Sequence, residues 1–486
     1  MRQCDAQRIR GWFFLPEAPD NRVPGILVWE PSDGAKLELI GGFSPQPEYQ
    51  LTPDGKGEMT NQLVGDIRSG TIYGESNSGQ KLSIWDAQRT TYSAGLQGRV
   101  HEESWESTWV CVGAHVPSPQ QDQFSSAALV LDDLYYLTDD GRFCPPQWVK
   151  IEGVDSPGKR LENGTLLMPY ALPIVGGYRA ECVVGETDEA RYSVDTKATR
   201  PFLSPATQAM PDLMLELMTK RRRHGPVIEL RVDASVCIRL PQDAAGSAAK
   251  FVDCMAPVTD LLRLATFSPC GIEAIALNTI DDGEAFLLSS LGEPARPDET
   301  HQPAHTVFTF ADVSLDSYLK TRQRLTEQRQ AGYAWNVAIG LCGYSSRYVE
   351  EYVSQSLAAA EGFHLWCLDG APNAKLNERL RQLHERLDAE LQTQVALDAE
   401  KWIDWAVWAR NHVAHGGTKR QRIINDSMEV VAIAESVHLV TYLVVLQELG
   451  VPVEKIRDAL RNHPRLRVMA AKSSVVNQIE QQISPP

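Results

Sequence analysis

The hydrophobic period changes once along this 486-residue chain, and that change limits the folds open to it. From residue 9 to about 200, short apolar runs alternate with Gly, Pro, Asp and Asn breaks: Val23 to Trp29, Lys36 to Ile40, Gly70 to Tyr73, Lys81 to Ile84, Ser107 to Val112 and Ala127 to Leu131. Short runs between turn formers are the pattern of antiparallel strands in a sandwich. Trp105 to Val112 reads as one core strand, because β-branched and aromatic residues concentrate there. A less regular stretch follows, with strand pairs over Val227 to Leu240, a helix over Asp253 to Thr266, and Phe286 to Leu288 and Val307 to Phe310 closing the sheet.

After Asp316 apolar residues recur with helical spacing through Tyr318 to Gln330, Ser346 to Leu368, Lys375 to Leu391, Ala399 to His415, Asp426 to Leu449 and Val453 to Asn462. Caps are expected at Ser345-Ser346, Asp398 and Asn425, a helix stop at Gly450, and fraying from Ser473 onward. The fold class is therefore α+β and multidomain: an antiparallel β-sandwich-like region over residues 1–320, which divides near 200–225 if it forms two subdomains, then an all-α bundle over residues 321–486. Two or three domains suit the length.

Composition narrows the class further. A hydrophobic content of 43% supports buried cores and excludes a disordered chain. The first eight residues carry no apolar run, so no signal peptide is expected. Val430 to Leu446 falls short of the roughly 20 residues of a membrane span and carries Glu435 and His438, so it reads as a bundle helix. The nine cysteines (Cys4, Cys111, Cys144, Cys182, Cys237, Cys254, Cys270, Cys342 and Cys367) form no C-x-x-C and suit reduced thiols in the cytoplasm. No metal and no cofactor is expected. The net charge of -16 is unevenly spread: residues 321–486 hold 19 basic against 19 acidic side chains, and residues 1–320 hold 28 against 44. The acidity belongs to the strand-rich part.

One stretch of the helical part carries chemistry: Trp408-Ala409-Arg410-Asn411-His412-Val413-Ala414-His415-Gly416-Gly417. Arg410 offers a permanently charged planar fork for a phosphodiester. His415 offers a side chain able to take or give a proton near neutral pH. A step of five residues sets them roughly 140° apart on an ideal helix, whereas Asn411 and His415 stack as i and i+4. Asn411 is thus suited to fix the imidazole tautomer, and Gly416-Gly417 to end the helix and let the chain bend His415 toward Arg410. Two roles stay open for His415, general base toward a ribose 2′-hydroxyl or general acid toward the leaving 5′-oxygen. His412 is a second catalytic group, an RNA contact or a surface residue. Lys419, Arg420 and Arg422 follow directly and would neutralise phosphates.

Arg410-Asn411 followed by His415 resembles the R-x-x-x-x-H signature of HEPN ribonucleases in its R-N-x-x-x-H form. The surrounding residues resemble the ApeA-type branch. Gly11-Trp12-Phe13-Phe14-Leu15-Pro16, Val23-Pro24-Gly25-Ile26-Leu27 and Leu37-Glu38-Leu39-Ile40-Gly41-Gly42-Phe43 are similar to the start of the ApeA N-terminal domain. The resemblance implies a bacterial antiphage, abortive-infection endoribonuclease. Its HEPN domain would dimerise and cut RNA, in this branch tRNA, without metal, giving a 2′,3′-cyclic phosphate. It implies Arg410, Asn411 and His415 of two copies around one cleft, with an N-terminal part that senses infection, through a phage-derived trigger, or restrains the nuclease. The alternative is a non-catalytic defence protein whose bundle dimerises and holds RNA while the sandwich binds a ligand.

Other features take plainer readings. Gly74-Glu75-Ser76-Asn77-Ser78-Gly79-Gln80-Lys81 imitates a phosphate loop, but Gln80 intrudes before Lys81 and Leu82 stands where Ser or Thr is needed, so it reads as a hairpin turn. Trp402, Trp405, Trp408 and Trp366 read as core or dimer interface. Glu361 reads as a solvated glutamate, with contact to Arg410 or His415 as the other choice. Arg221-Arg222-Arg223-His224 reads as a loop or a tRNA contact.

Overall fold

The computed structural model describes residues 5–43, 48–51, 57–60, 69–93, 102–137, 149–150, 159–160, 166–167, 170–171, 183–187, 190–198, 232–240, 244–281, 283–290, 293–294, 306–344, 348–395, 397–415 and 427–479. Six antiparallel strands of this set close a ring: β1 (Gln7–Phe14), β2 (Val23–Glu30), β3 (Gly34–Ile40), β4 (Ser69–Ser76), β5 (Lys81–Ser93) and β6 (Glu102–Ser107). Around it, β1 pairs with β2 and β4, β3 joins β2 to β6, and β5 joins β6 to β4. Alternating burial, as in Val23, Gly25, Leu27 and Trp29 of β2, sends one face of each strand inward. Phe13, Trp29, Leu37, Ile72, Ile84 and Trp105 fill the interior. The antiparallel, strand-rich expectation holds, with the strands closed into a barrel.

The expected single strand Trp105 to Val112 is broken at Thr108. β7 (Trp109–Val112) leaves the ring and pairs with β5 on one side and Glu284–Ser289 on the other. The corner is held by Ser107, whose Oγ donates to Trp85 O at 2.5 Å and accepts from Trp109 N at 3.0 Å. Beyond it the sheet continues as β8 (Phe124–Leu131), β9 (Val183–Glu186), β10 (Arg191–Ala198), β11 (Val232–Arg239), β12 (Gly271–Thr279) and β13 (Glu284–Ser289), in the spatial order β9-β10-β11-β8-β12-β13-β7. The phosphate-loop look-alike is the β4–β5 hairpin, with Gly79 at φ +82° donating to Ser76 O at 2.9 Å. Val307 to Phe310 is not a strand. Thr309 N donates to Asp312 Oδ2 at 2.9 Å, which folds the segment into a turn, and Val307 N donates to Ala265 O at 2.7 Å.

Helix α1 (Ala248–Thr266), capped by Ser247, packs on β8 and β11 with its apolar side. It also faces the bundle, which comprises α2 (Leu315–Leu325), α3 (Arg329–Gly340), α4 (Val349–Gly362), a π turn (Phe363–Cys367), α5 (Leu376–Arg386), α6 (Ala389–Val395), α7 (Ala399–His415), α8 (Ser427–Glu448), α9 (Val453–Asn462) and α10 (Pro464–Gln478). Asp260 of α1 accepts from Arg322 Nε and Nη2 at 3.0 and 2.9 Å and from Trp335 Nε1 at 3.0 Å. Tyr318 Oη donates to Pro257 O at 2.9 Å, Tyr442 Oη to Leu264 O at 2.6 Å, and His463 Nε2 to Thr266 O at 3.2 Å. One apolar core runs from the second sheet through α1 into the bundle.

The expected Tyr318 to Gln330 helix starts earlier, at Leu315 under a Ser314 cap, and ends at Leu325, with α3 following as a separate helix. Gly450 sits at φ +79° after α8, as expected of a helix stop. Helix α8 is long and apolar enough to cross a membrane by composition, yet 78% of its most apolar window is buried at the centre of the bundle. The caps expected at Ser345-Ser346 and Asn425 lie outside the described residues; Tyr348 precedes α4. The chain is not frayed at Ser473: this residue is fully buried in α10, and its Oγ donates to Val395 O at 2.6 Å.

Candidate functional site

The motif residues lie at the end of α7, and four contacts fix where that helix begins. Asp398 caps it, its Oδ1 accepting from Lys401 N at 3.2 Å and its carbonyl from Trp402 N at 2.8 Å. Asn477 of α10 accepts from Asp398 N at 2.9 Å and, through its carbonyl, from Lys401 Nζ. Along the helix Trp402, Ile403, Trp405, Ala406, Trp408 and Ala409 are buried. Trp402 Nε1 donates to Ser436 Oγ of α8 at 2.9 Å, and Trp405 meets Trp408 edge to face at 5.7 Å. These three indoles are core, as expected. Trp366, in the π turn, is 39% exposed and departs from that reading.

Arg410 emerges from this buried stripe with its side chain 48% exposed. Its Nε lies 4.0 Å from Glu361 Oε1. That corrects the reading of Glu361 as an ordinary solvated glutamate: α4 packs against α7, and the carboxylate near the C-terminal end of α4 reaches the guanidinium across the junction. Small buried residues on both helices, Ala359 and Ala360 on α4 with Ala406 and Ala409 on α7, are the sequence signal that could have found it, since small side chains let backbones approach. The approach through Nε leaves the terminal nitrogens of Arg410 for a phosphate.

Asn411 is half-buried and follows Arg410 on the same helix. His412 is exposed and stacks on Trp408, ring centroids 4.9 Å apart and planes 14° off parallel. His364, His384, His438 and His463 are buried, so His412 is the exposed imidazole among the described histidine side chains of the bundle. Burial pushes the His364 and His384 pKa values down and that of His438 down to about 3, which keeps these rings neutral. They are packing groups.

Helix α7 runs unbroken from Ala399 to His415, and the bend expected at Gly416-Gly417 lies outside the described residues. Positions 411 and 415 keep their i, i+4 relation, and positions 410 and 415 stay roughly 140° apart. The His415 side chain, Gly416, Gly417 and the basic residues Lys419, Arg420 and Arg422 lie outside the described residues, as do Arg221, Arg222, Arg223 and His224.

Two family models match the chain, one in its strand-rich part and one in its helical part. Residues 8–171 match the ApeA N-terminal domain 1, and residues 316–455 match the Apea-like HEPN domain. The chain is an ApeA-like protein with a C-terminal HEPN domain. The first match takes in the β1 to β6 ring from Arg8 onward, and the second runs from α2 into α9, with Arg410 and Glu361 inside it. HEPN domains generally belong to ribonucleases, and this pair of domains points to nuclease-type antiphage defence. No curated protein and no solved structure matches the chain.

Proposed function

We propose that this ApeA-like protein is a metal-independent endoribonuclease that cuts RNA, tRNA in particular, during phage infection. Its nucleophile is the substrate's own ribose 2′-hydroxyl. The 2′-oxygen bonds to phosphorus as its proton leaves, the bond from phosphorus to the 5′-oxygen breaks, and that oxygen takes a proton. The products are a 2′,3′-cyclic phosphate and a 5′-hydroxyl. Arg410 stabilises the pentacoordinate phosphorane, His415 moves a proton, and Asn411 orients His415. His412, Lys419, Arg420 and Arg422 contact the RNA.

The observation that carries this reading is the position of Arg410. It is an exposed guanidinium beside the buried stripe of α7, and Glu361 approaches it through Nε at 4.0 Å, on the side away from its terminal nitrogens. The wide angle between positions 410 and 415 favours a homodimer in which the motif helices of two copies line one cleft. The barrel would take a phage-derived trigger, and the protein would act in the cytoplasm.

Sequencing of RNA 5′-hydroxyl ends tests the proposal. Cells expressing the wild type, with and without phage, should accumulate new ends at a few tRNA positions, and cells expressing Arg410→Ala should lack them. Equal ends from both proteins would remove Arg410 from the chemistry. No new ends from the wild type under either condition would favour the non-catalytic RNA-binding alternative.

A further inference from the structure

Directly after Glu361 and Gly362 the chain leaves α-helical geometry for the π turn Phe363–Cys367, in which Leu368 N donates to Phe363 O at 3.2 Å. Single π turns inside helices recur at functional sites, because they re-aim neighbouring side chains at an energetic cost that other contacts must offset. Here the offsetting contacts come from α5. Arg379 is buried, and its fork donates to three carbonyls: Nη1 to Glu361 O at 3.4 Å, Nη2 to Pro372 O at 3.1 Å and Nε to Ala374 O at 2.9 Å. Gln382, one turn further on, has Oε1 at 2.6 Å from His364 Nε2. Gly370 closes the far side so tightly that a Cβ there would lie 2.3 Å from the His364 ring.

The next face of α5 holds the other half of the site. Arg381 forks onto Glu400 in the first turn of α7 with Nε and Nη2 contacts of 2.8 to 3.1 Å, and the His384 ring lies 5.9 Å from that of Trp402. Helix α5 therefore grips both the helix end that carries Glu361 and the helix that carries Arg410. A guanidinium is suited to this task, being always charged and planar, with five donors in fixed directions.

We infer that Arg379 is a positioning residue of the nuclease site: by clamping the Glu361 carbonyl beside the π turn, it sets the Glu361 carboxylate against Arg410. The inference rests on the reading of Arg410 as the phosphate-binding group. Arg379 acts through Glu361, so its effect on cleavage must vanish when the Glu361 carboxylate is gone.

A double-mutant cycle on the full-length protein, with a purified tRNA pool as substrate, tests this. Arg379→Gln alone should lower kcat about 10- to 100-fold with little change in KM, as misplacement of a catalytic group does. In a Glu361→Gln background the same change should alter kcat less than about twofold. Arg379→Lys, which keeps the charge and loses the fork, serves as the second variant and should fall between wild type and Arg379→Gln. Fully multiplicative effects of Arg379→Gln and Glu361→Gln would reduce Arg379 to a fold-stabilising clamp and overturn the inference.

Amide hydrogen exchange supplies an arm independent of catalysis. In either Arg379 variant that retains the wild-type melting temperature, exchange over residues 361–370 should rise while the β1 to β6 ring is unchanged. Unchanged exchange over 361–370 overturns the inference even if no RNA is cut, whereas inactivity of the wild type with raised exchange would fault the nuclease reading and leave the clamp supported.

Discussion

The ring of β1 to β6 encloses an apolar core of its own, headed by Phe13, Trp29 and Trp105, whereas the helices from Leu315 onward share theirs with α1 and the second sheet. The two regions carry the two family matches, and the ring's core is completed by Val110 and Val112 of β7 and Leu288 of β13, while Trp85 of β5 packs into the shared core. The change of hydrophobic period near residue 320 marks where strands give way to helices. It does not mark a break in the packing: Asp260, Phe267 and Leu264 on one side of it contact Arg322, His438 and Tyr442 on the other. A chain built this way has a sheet continuous with its barrel at one edge and a core continuous with its HEPN bundle at the other.

The largest effects should come from emptying each core in turn. Trp335→Ala removes a fully buried indole that donates to Asp260, and Trp29→Ala removes one from inside the ring. Each should cost about 3–5 kcal/mol. Hydrogen exchange should show Trp335→Ala loosening the second sheet, α1 and the bundle together while the ring stays protected, and Trp29→Ala loosening the ring first. Loss of protection along the whole chain in both variants would break the comparison.

A pH-dependent effect, small near neutrality, distinguishes the shared core alone. His438 is buried in α8, stacked 5.2 Å from Phe267, with its Nδ1 3.0 Å from Tyr352 Oη and its pKa pushed down to about 3 by burial. In the unfolded chain a histidine titrates near pH 6.5. Between those values the unfolded state binds the extra proton, so this stabilisation is complete above about pH 6.5 and is lost as the pH falls toward 3. The slope approaches roughly 1.4 kcal/mol per pH unit. Thermal unfolding of His438→Gln should therefore depend less on pH between 6.5 and 4 than that of the wild type. Identical slopes would mean that the ring is not held neutral by this core.

The strands were legible because alternation of the kind in Val23 to Trp29 has one explanation, and α7 was legible because Asp398 and its buried stripe mark a helix without ambiguity. Closure of the ring was not, since the pairings of β1 with β4 and of β3 with β6 are long-range choices that no local period encodes. Val307 to Phe310 misled for a related reason: four β-formers in a row read as a strand, and the Asp312 carboxylate three residues beyond Thr309 folds them into a turn. At the site, Arg410 was readable from its spacing to His415. Glu361 was not, being 49 residues away in sequence and meeting Arg410 only through the packing of α4 on α7.

The most direct measurement compares purified wild type and His415→Ala on a tRNA pool in EDTA, repeated with extract of phage-infected cells to supply any trigger. The proposal predicts cleavage by the wild type that survives chelation, 2′,3′-cyclic phosphate ends, and a variant at least about 100-fold slower, as expected when a group that transfers the proton is lost. Cleavage by His415→Ala at the wild-type rate would contradict it.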